Sequence, residues 1–134
     1  MAAAKSTENP SKSHCNTRQA GTRGEDCALR FLKKKGYRII ERNYRCVFGE
    51  IDIIANHQGA IVFIEVKSRT SDRFGYPEEA VGKVKQKKIS RIAVNYLGER
   101  KLDDSNARFD VVAIHFSPGK ERVELIKDAF DFVL

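Results

Sequence analysis

Gly49-Glu50-Ile51-Asp52-Ile53-Ile54-Ala55-Asn56-His57-Gln58-Gly59-Ala60-Ile61-Val62-Phe63-Ile64-Glu65-Val66-Lys67 is the stretch that decides the fold. Two runs rich in β-branched residues flank Asn56-His57-Gln58-Gly59, which has the composition of a turn. Gly49 to Ala55 and Ala60 to Lys67 are therefore predicted to be the strands of a hairpin. Side chains alternate faces along a strand, so Glu65 and Lys67 share one face while Ile64 and Val66 point the other way. By the same rule Glu50 and Asp52 stand together, opposite Ile51 and Ile53. Counting from Gln58, Asp52 lies six residues before and Glu65 seven after, which sets them nearly opposite, to within one residue of register.

Two carboxylates and a lysine on strands this apolar point to chemistry. Close carboxylates repel unless a cation or a shared proton lies between them. A hard divalent ion, Mg²⁺ or Mn²⁺, suits the pair, because such ions take oxygen ligands and are often held by one or two carboxylates together with a substrate phosphate. Asp52 and Glu65 are thus candidate metal ligands, and Lys67 is placed to orient a water or to stabilise charge on a phosphate. The plainer reading is a surface ion pair between Glu65 and Lys67 with Asp52 merely solvated. Glu-Val-Lys alone favours that reading. An aspartate at the matching hairpin position favours catalysis.

Outward from the hairpin, Thr22-Arg23-Gly24-Glu25 has capping-box spacing, and Cys27, Ala28, Phe31 and Leu32 then recur at helical intervals until Gly36 supplies a stop. Tyr37 to Tyr44 alternates as a strand. Beyond the hairpin, a loop with Gly75 and Pro77 leads to Glu78-Glu79, acids suited to a helix start. Val81, Val84, Ile89, Ile92, Ala93, Tyr96 and Leu97 then form one helical stripe ending near Gly98. Phe109 to Phe116 and Arg122 to Ile126 are predicted strands joined across Ser117-Pro118-Gly119-Lys120. The expected architecture is α/β, a mixed central sheet flanked by helices in the order α-β-β-β-α-β-β. Residues 1–20, with almost no apolar periodicity, are expected to be a disordered tail, and 21–134 one folded domain.

The 134 residues carry 25 basic and 18 acidic side chains, a net charge of +7. The tail holds Lys5, Lys12 and Arg18 against Glu8, so +5 remains on the folded part and a polyanionic partner, nucleic acid first, is indicated. Cys15, Cys27 and Cys46 are widely spaced with no CxxC pair, which fits reduced thiols better than disulfides or a zinc site. His14, His57 and His115 suggest no nucleophile pairing. No apolar run is long enough for a bilayer and none resembles a signal peptide, so a cytoplasmic protein without a membrane role is expected.

At Glu50-Ile51-Asp52, Phe63-Ile64-Glu65-Val66-Lys67-Ser68-Arg69 and Arg108-Phe109-Asp110-Val111-Val112, the chain resembles the YraN-like family of uncharacterised bacterial proteins. Gly36-Tyr37, Arg42-Asn43, Tyr76-Pro77 and Ala80-Val81 fit it too, and the resemblance covers Gln19 to Ile126. That family is similar to archaeal Holliday junction resolvases within the PD-(D/E)xK nucleases, which implies a restriction-endonuclease-like fold, Mg²⁺-dependent hydrolysis of DNA phosphodiesters, and Asp52, Glu65 and Lys67 as the catalytic set. The resolvase-like branch adds an acid on the first helix, here Glu25, for which a capping role stands as the alternative. Ile51 replaces the usual proline, a departure common among divergent members. Gln86 lacks a tyrosine four residues on, where Ser90 stands, so the Gln-x-x-x-Tyr role of RecB-type nucleases is not carried over.

Lys83, Lys85, Lys87, Lys88 and Arg91 crowd the second helix with no acid among them, and Arg69 and Arg73 follow the catalytic strand. Such a run is often only a solvated face, but beside a phosphodiesterase site it suits contact with the DNA backbone. Phe74 and Tyr76 in the loop suit stacking on unpaired bases or packing of the loop itself. No element is built to read base edges, so selection of DNA structure, a junction, flap or end, is expected over selection of sequence. Resolving a symmetric junction needs two active sites, so the resemblance is compatible with a homodimer. The competing classes are a non-catalytic nucleic-acid-binding module on the same fold and a protein-interaction domain.

Overall fold

The computed structural model describes residues 17–69 and 81–133. Within them the chain runs α1 (Thr17–Lys34), β1 (Arg38–Cys46), β2 (Gly49–His57), β3 (Ala60–Arg69), α2 (Lys83–Glu99), β4 (Ala107–Ser117) and β5 (Lys120–Phe130), the α-β-β-β-α-β-β order expected. The five strands form one sheet in sequential order. β1–β2, β2–β3 and β4–β5 pair antiparallel, while β3–β4 is parallel, with α2 lying between those two strands in sequence.

Turn chemistry sets the register of the central hairpin. His57 pairs with Ala60 across Gln58 and Gly59, whose φ values of 53° and 85° are both left-handed, as a two-residue turn matching the twist of its strands requires. From there the pairs run back to Ile53↔Ile64.

Helices cover both faces. On one, Leu32 and Ala28 of α1 pack with Ile53, Val62, Ile64, Val112 and Ile114. On the other, Ile89, Ile92 and Tyr96 of α2 pack with Tyr44, Ile51, Ile54, Phe63, Phe109 and Val111. α1 ends as expected: Gly36, at φ 93°, lets its own N–H reach the Lys33 carbonyl at 3.1 Å and the Tyr37 N–H reach that of Leu32 at 3.0 Å. In α2 the same closure falls on Lys101, at φ 58°, so Gly98 lies inside the helix.

Several expectations need correction. α1 is already helical from Thr17, so Thr22 to Glu25 lie inside the helix and their spacing is not a capping box. The tail assigned to residues 1–20 otherwise lies outside the described residues. Glu78 and Glu79, expected at a helix start, also lie outside them, and α2 is capped by Gly82 with no side-chain bond. Val84, placed on the buried stripe, is 85% exposed, because the helix faces the sheet through Ile89, Ile92, Ala93 and Tyr96.

At the turn end of the hairpin a polar network is built into the sheet. Asp110, fully buried, accepts from the Tyr37 hydroxyl at 2.7 Å, from Arg108 Nε at 3.0 Å and from the Asp128 N–H at 2.9 Å. Arg108 Nη2 also donates to His57 Nδ1 at 2.8 Å, and the Tyr37 and His57 rings stack at 4.0 Å. Burial, then the Asp110 bond, pushes the Tyr37 hydroxyl up to about 12, so it stays a donor. Arg108, Asp110 and Tyr37, conspicuous in the sequence, thus tie the end of α1 to β4 and β5.

Candidate active site

The sheet forks at Asp52. The β2–β3 ladder stops at Ile53↔Ile64, yet β2 continues to Gly49 against β1, and β3 continues to Arg69 against β4. One step beyond the last pair, the same register sets Asp52 opposite Glu65. There the Asp52 side chain takes over the ladder: its Oδ2 accepts the Val66 N–H at 2.8 Å.

The fork also overturns one expectation. Ile51 packs on the α2 face and Ile53 on the α1 face, so the two isoleucines do not share a side and strict alternation fails at Asp52. Asn43, which lies between Arg42↔Ile53 and Tyr44↔Ile51 on the partner strand, has φ 52°. A left-handed residue in β1 bends the strand where β2 must turn its aspartate towards β3.

On β3 alternation holds, and Glu65 is a buried carboxylate with a side chain only 9% exposed. Its Oε2 lies 3.9 Å from Lys67 Nζ on the same strand and 2.5 Å from Lys85 Nζ on α2. Burial, then the Glu65 charge, raises the Asp52 carboxyl from 3.8 to about 6, against the lowering effect of the Val66 N–H. The charge of Glu25 adds to the rise and that of Lys85 offsets it. Burial works to lower the Lys85 ammonium, but the hydrogen bond and charge of Glu65 outweigh it and hold the pKa above the ordinary lysine value.

Glu25, on α1, is thus close enough to act on Asp52, and at 3.5 Å it shares Arg42 with Asp26. Gly24 explains how α1 comes so near: a Cβ there would run into the Ser68 hydroxyl, next to Lys67. Among the described residues no three or more His, Cys, Asp and Glu side chains cluster as a metal cage. What the fork offers is a pair of hard oxygen donors with cations beside them.

Residues 24–114 match the model of the uncharacterised protein family UPF0102. The chain belongs to that family. UPF0102 proteins from Syntrophus aciditrophicus and Caldicellulosiruptor saccharolyticus are 56% identical over 113 residues and 45% identical over 117 residues. The alignments cover 84% of this chain and 89% of the first relative, and 86% of this chain and 99% of the second. Among solved structures, Pyrococcus furiosus SfsA in complex with Ca²⁺ aligns at 16% identity and TM-score 0.40, over 84% of this chain and 64% of that one. The UPF0102 chain thus spans under two thirds of SfsA, and so distant a likeness says nothing of activity.

In this UPF0102 chain, Glu25, Asp52, Glu65 and Lys67 all fall inside the matched segment. Of the α2 cations, Lys83, Lys87, Lys88 and Arg91 are exposed, whereas Lys85 turns into the fork. Arg73 lies outside the described residues, and so does the side chain of Arg69. Gln86 donates to the Val81 carbonyl at 2.9 Å, bracing the start of α2. The role of Lys85 was not separable in sequence from that of its neighbours. Only the packing of α2 against the sheet distinguishes it.

Proposed function

We propose that this chain is a metal-dependent DNA endonuclease that hydrolyses phosphodiester bonds and selects DNA structure, such as a junction, flap or end, rather than sequence. The observation that carries this reading is the meeting of the Asp52 and Glu65 carboxylates at the fork, with Lys67 3.9 Å from Glu65. Burial and then the Glu65 charge lift Asp52 to about 6, a cost that a cation shared by the two carboxylates would relieve, and their hard oxygens fit Mg²⁺ or Mn²⁺. Bound there, such an ion supplies charge neutralisation and activation of water.

The chain's own residues do the rest. Asp52 and Glu65 hold the ion, and the Val66 N–H fixes the rotamer of Asp52. Lys67 orients the attacking water or stabilises the charge building on the phosphate. Glu25 adds negative potential from α1. Lys83, Lys87, Lys88 and Arg91 suit contact with the DNA backbone, which carries no sequence information. A homodimer would supply the two sites a symmetric junction requires. No described helix is long and apolar enough to cross a membrane, and DNA as substrate points to a cytoplasmic site of action.

A second reading, a non-catalytic nucleic-acid-binding module on the same fold, is favoured by one observation: the Lys85–Glu65 ion pair already satisfies the buried carboxylate. Labelled linear duplex, single-stranded, flap and four-way-junction DNA, incubated with Mg²⁺ or Mn²⁺, separates the two. The nuclease cuts at least one substrate in a metal-dependent way and loses cutting in Glu65→Ala and Lys67→Ala. Binding without cutting on every substrate and metal leaves the module.

A further inference from the structure

On the reading that Asp52 and Glu65 hold a divalent cation, we propose that Lys85 is the built-in counter-ion of Glu65. It is a positioning residue that balances the metal-free site and leaves the carboxylate when that oxygen takes up its ligand role. A carboxylate as buried as Glu65 is costly without a charge partner. The described residues supply two, and both address the same oxygen, Oε2: Lys67 at 3.9 Å and Lys85 at 2.5 Å. A third cation on that oxygen would crowd three positive centres, so one of the two must go.

The two lysines are not equally free to leave. Lys67 rises from near the end of the β3 ladder, where the flanking pairs Val66↔Val112 and Ser68↔Ile114 hold the strand against β4, and its side chain is 27% exposed. Lys85 reaches in from the first turn of α2 on a flexible four-carbon stem, is 41% exposed, and has solvent beside it. α2 itself is anchored further along by Ile89, Ile92, Ala93 and Tyr96, so the helix does not depend on the ion pair for its place. Released, the ammonium remains beside the carboxylates, where the phosphate of a bound strand would lie. Lys85 therefore exchanges one anion, Glu65, for another, the substrate, and couples loading of the metal to binding of DNA.

Calorimetric titration of the full chain with Mn²⁺, without DNA, tests this independently of catalysis. Removing a partly exposed ion pair worth up to about a factor of five should make Lys85→Met bind Mn²⁺ about fivefold tighter than wild type. Lys85→Arg, which keeps a cation on Glu65, should stay near wild type. Lys87→Met, which removes the same charge from the same helix without touching Glu65, should stay within about twofold. In EDTA, Lys85→Met should unfold a few degrees lower, since Glu65 is left buried without that partner. Equal or weaker Mn²⁺ binding by Lys85→Met, or equal tightening in Lys87→Met, would overturn the role of Lys85 and leave the metal site standing. If neither wild type nor Lys85→Met binds Mn²⁺, the assignment of Asp52 and Glu65 as ligands falls, and this inference with it.

Discussion

Replacing Asp52 with asparagine should make the metal-free protein more stable at neutral pH. In the folded state burial, then the Glu65 charge, raises the Asp52 carboxyl from 3.8 to about 6. A raised carboxylate pKa means that ionisation opposes folding. The penalty is absent below pH 3.8, grows as pH rises through the interval, and is complete above about 6. About two units at 1.36 kcal/mol each set it at up to about 3 kcal/mol. The neutral amide would shed that penalty and keep an oxygen to accept the Val66 N–H. Urea unfolding in EDTA should therefore show Asp52→Asn more stable than wild type by about 2–3 kcal/mol at pH 8 and by well under 1 kcal/mol at pH 4. Adding Mg²⁺ should stabilise wild type and not the variant. If Asp52→Asn is less stable than wild type at pH 8, the two carboxylates are not in the repulsive contact from which the metal site is argued.

The positions around the fork lead to further expectations. Gly24→Ala should destabilise by about 1 kcal/mol despite the helix preference for alanine, because its Cβ meets the Ser68 hydroxyl; Ser68→Gly in the same chain should restore the loss. Arg108→Ala should cost about 3–5 kcal/mol in chemical unfolding, since it leaves the fully buried Asp110 without its cation. Lys87→Ala should weaken DNA binding alike on every sequence and lower the slope of log affinity against log salt by about one, as measured by fluorescence anisotropy.

The hairpin and the approach of its two carboxylates were legible because they depend on local rules. Gln58-Gly59 can adopt two left-handed residues in succession, that turn sets the register, and the register carries Asp52 to Glu65. Gly36 and the Ser117–Lys120 turn were readable for the same reason. What was hidden depends on tertiary contact. The bend at Asn43 and Asp52 breaks the alternation that placed Ile51 and Ile53 on one face, and no local pattern marks it. Lys85 looks in sequence like one of five solvated cations. Thr22-Arg23-Gly24-Glu25 imitates a cap, while the helix extends back to Thr17 and Gly24 serves instead for close packing against β3. Val84 kept the apolar spacing of its helix but points away from the sheet, while Val81 and Lys85 on either side of it reach the core and Glu65.

The central claim is that the Asp52–Glu65 pair, with Lys67, drives metal-dependent hydrolysis of DNA. Its most direct test is the single-turnover cleavage rate of a labelled four-way junction in Mg²⁺, for wild type, Glu65→Gln and Lys67→Ala, each first shown to unfold cooperatively. The account predicts cutting by wild type that EDTA abolishes, and a fall of about a hundredfold or more in either variant, the usual cost of losing a group that stabilises developing charge. Cutting that survives in both variants, or that persists in EDTA, would contradict it.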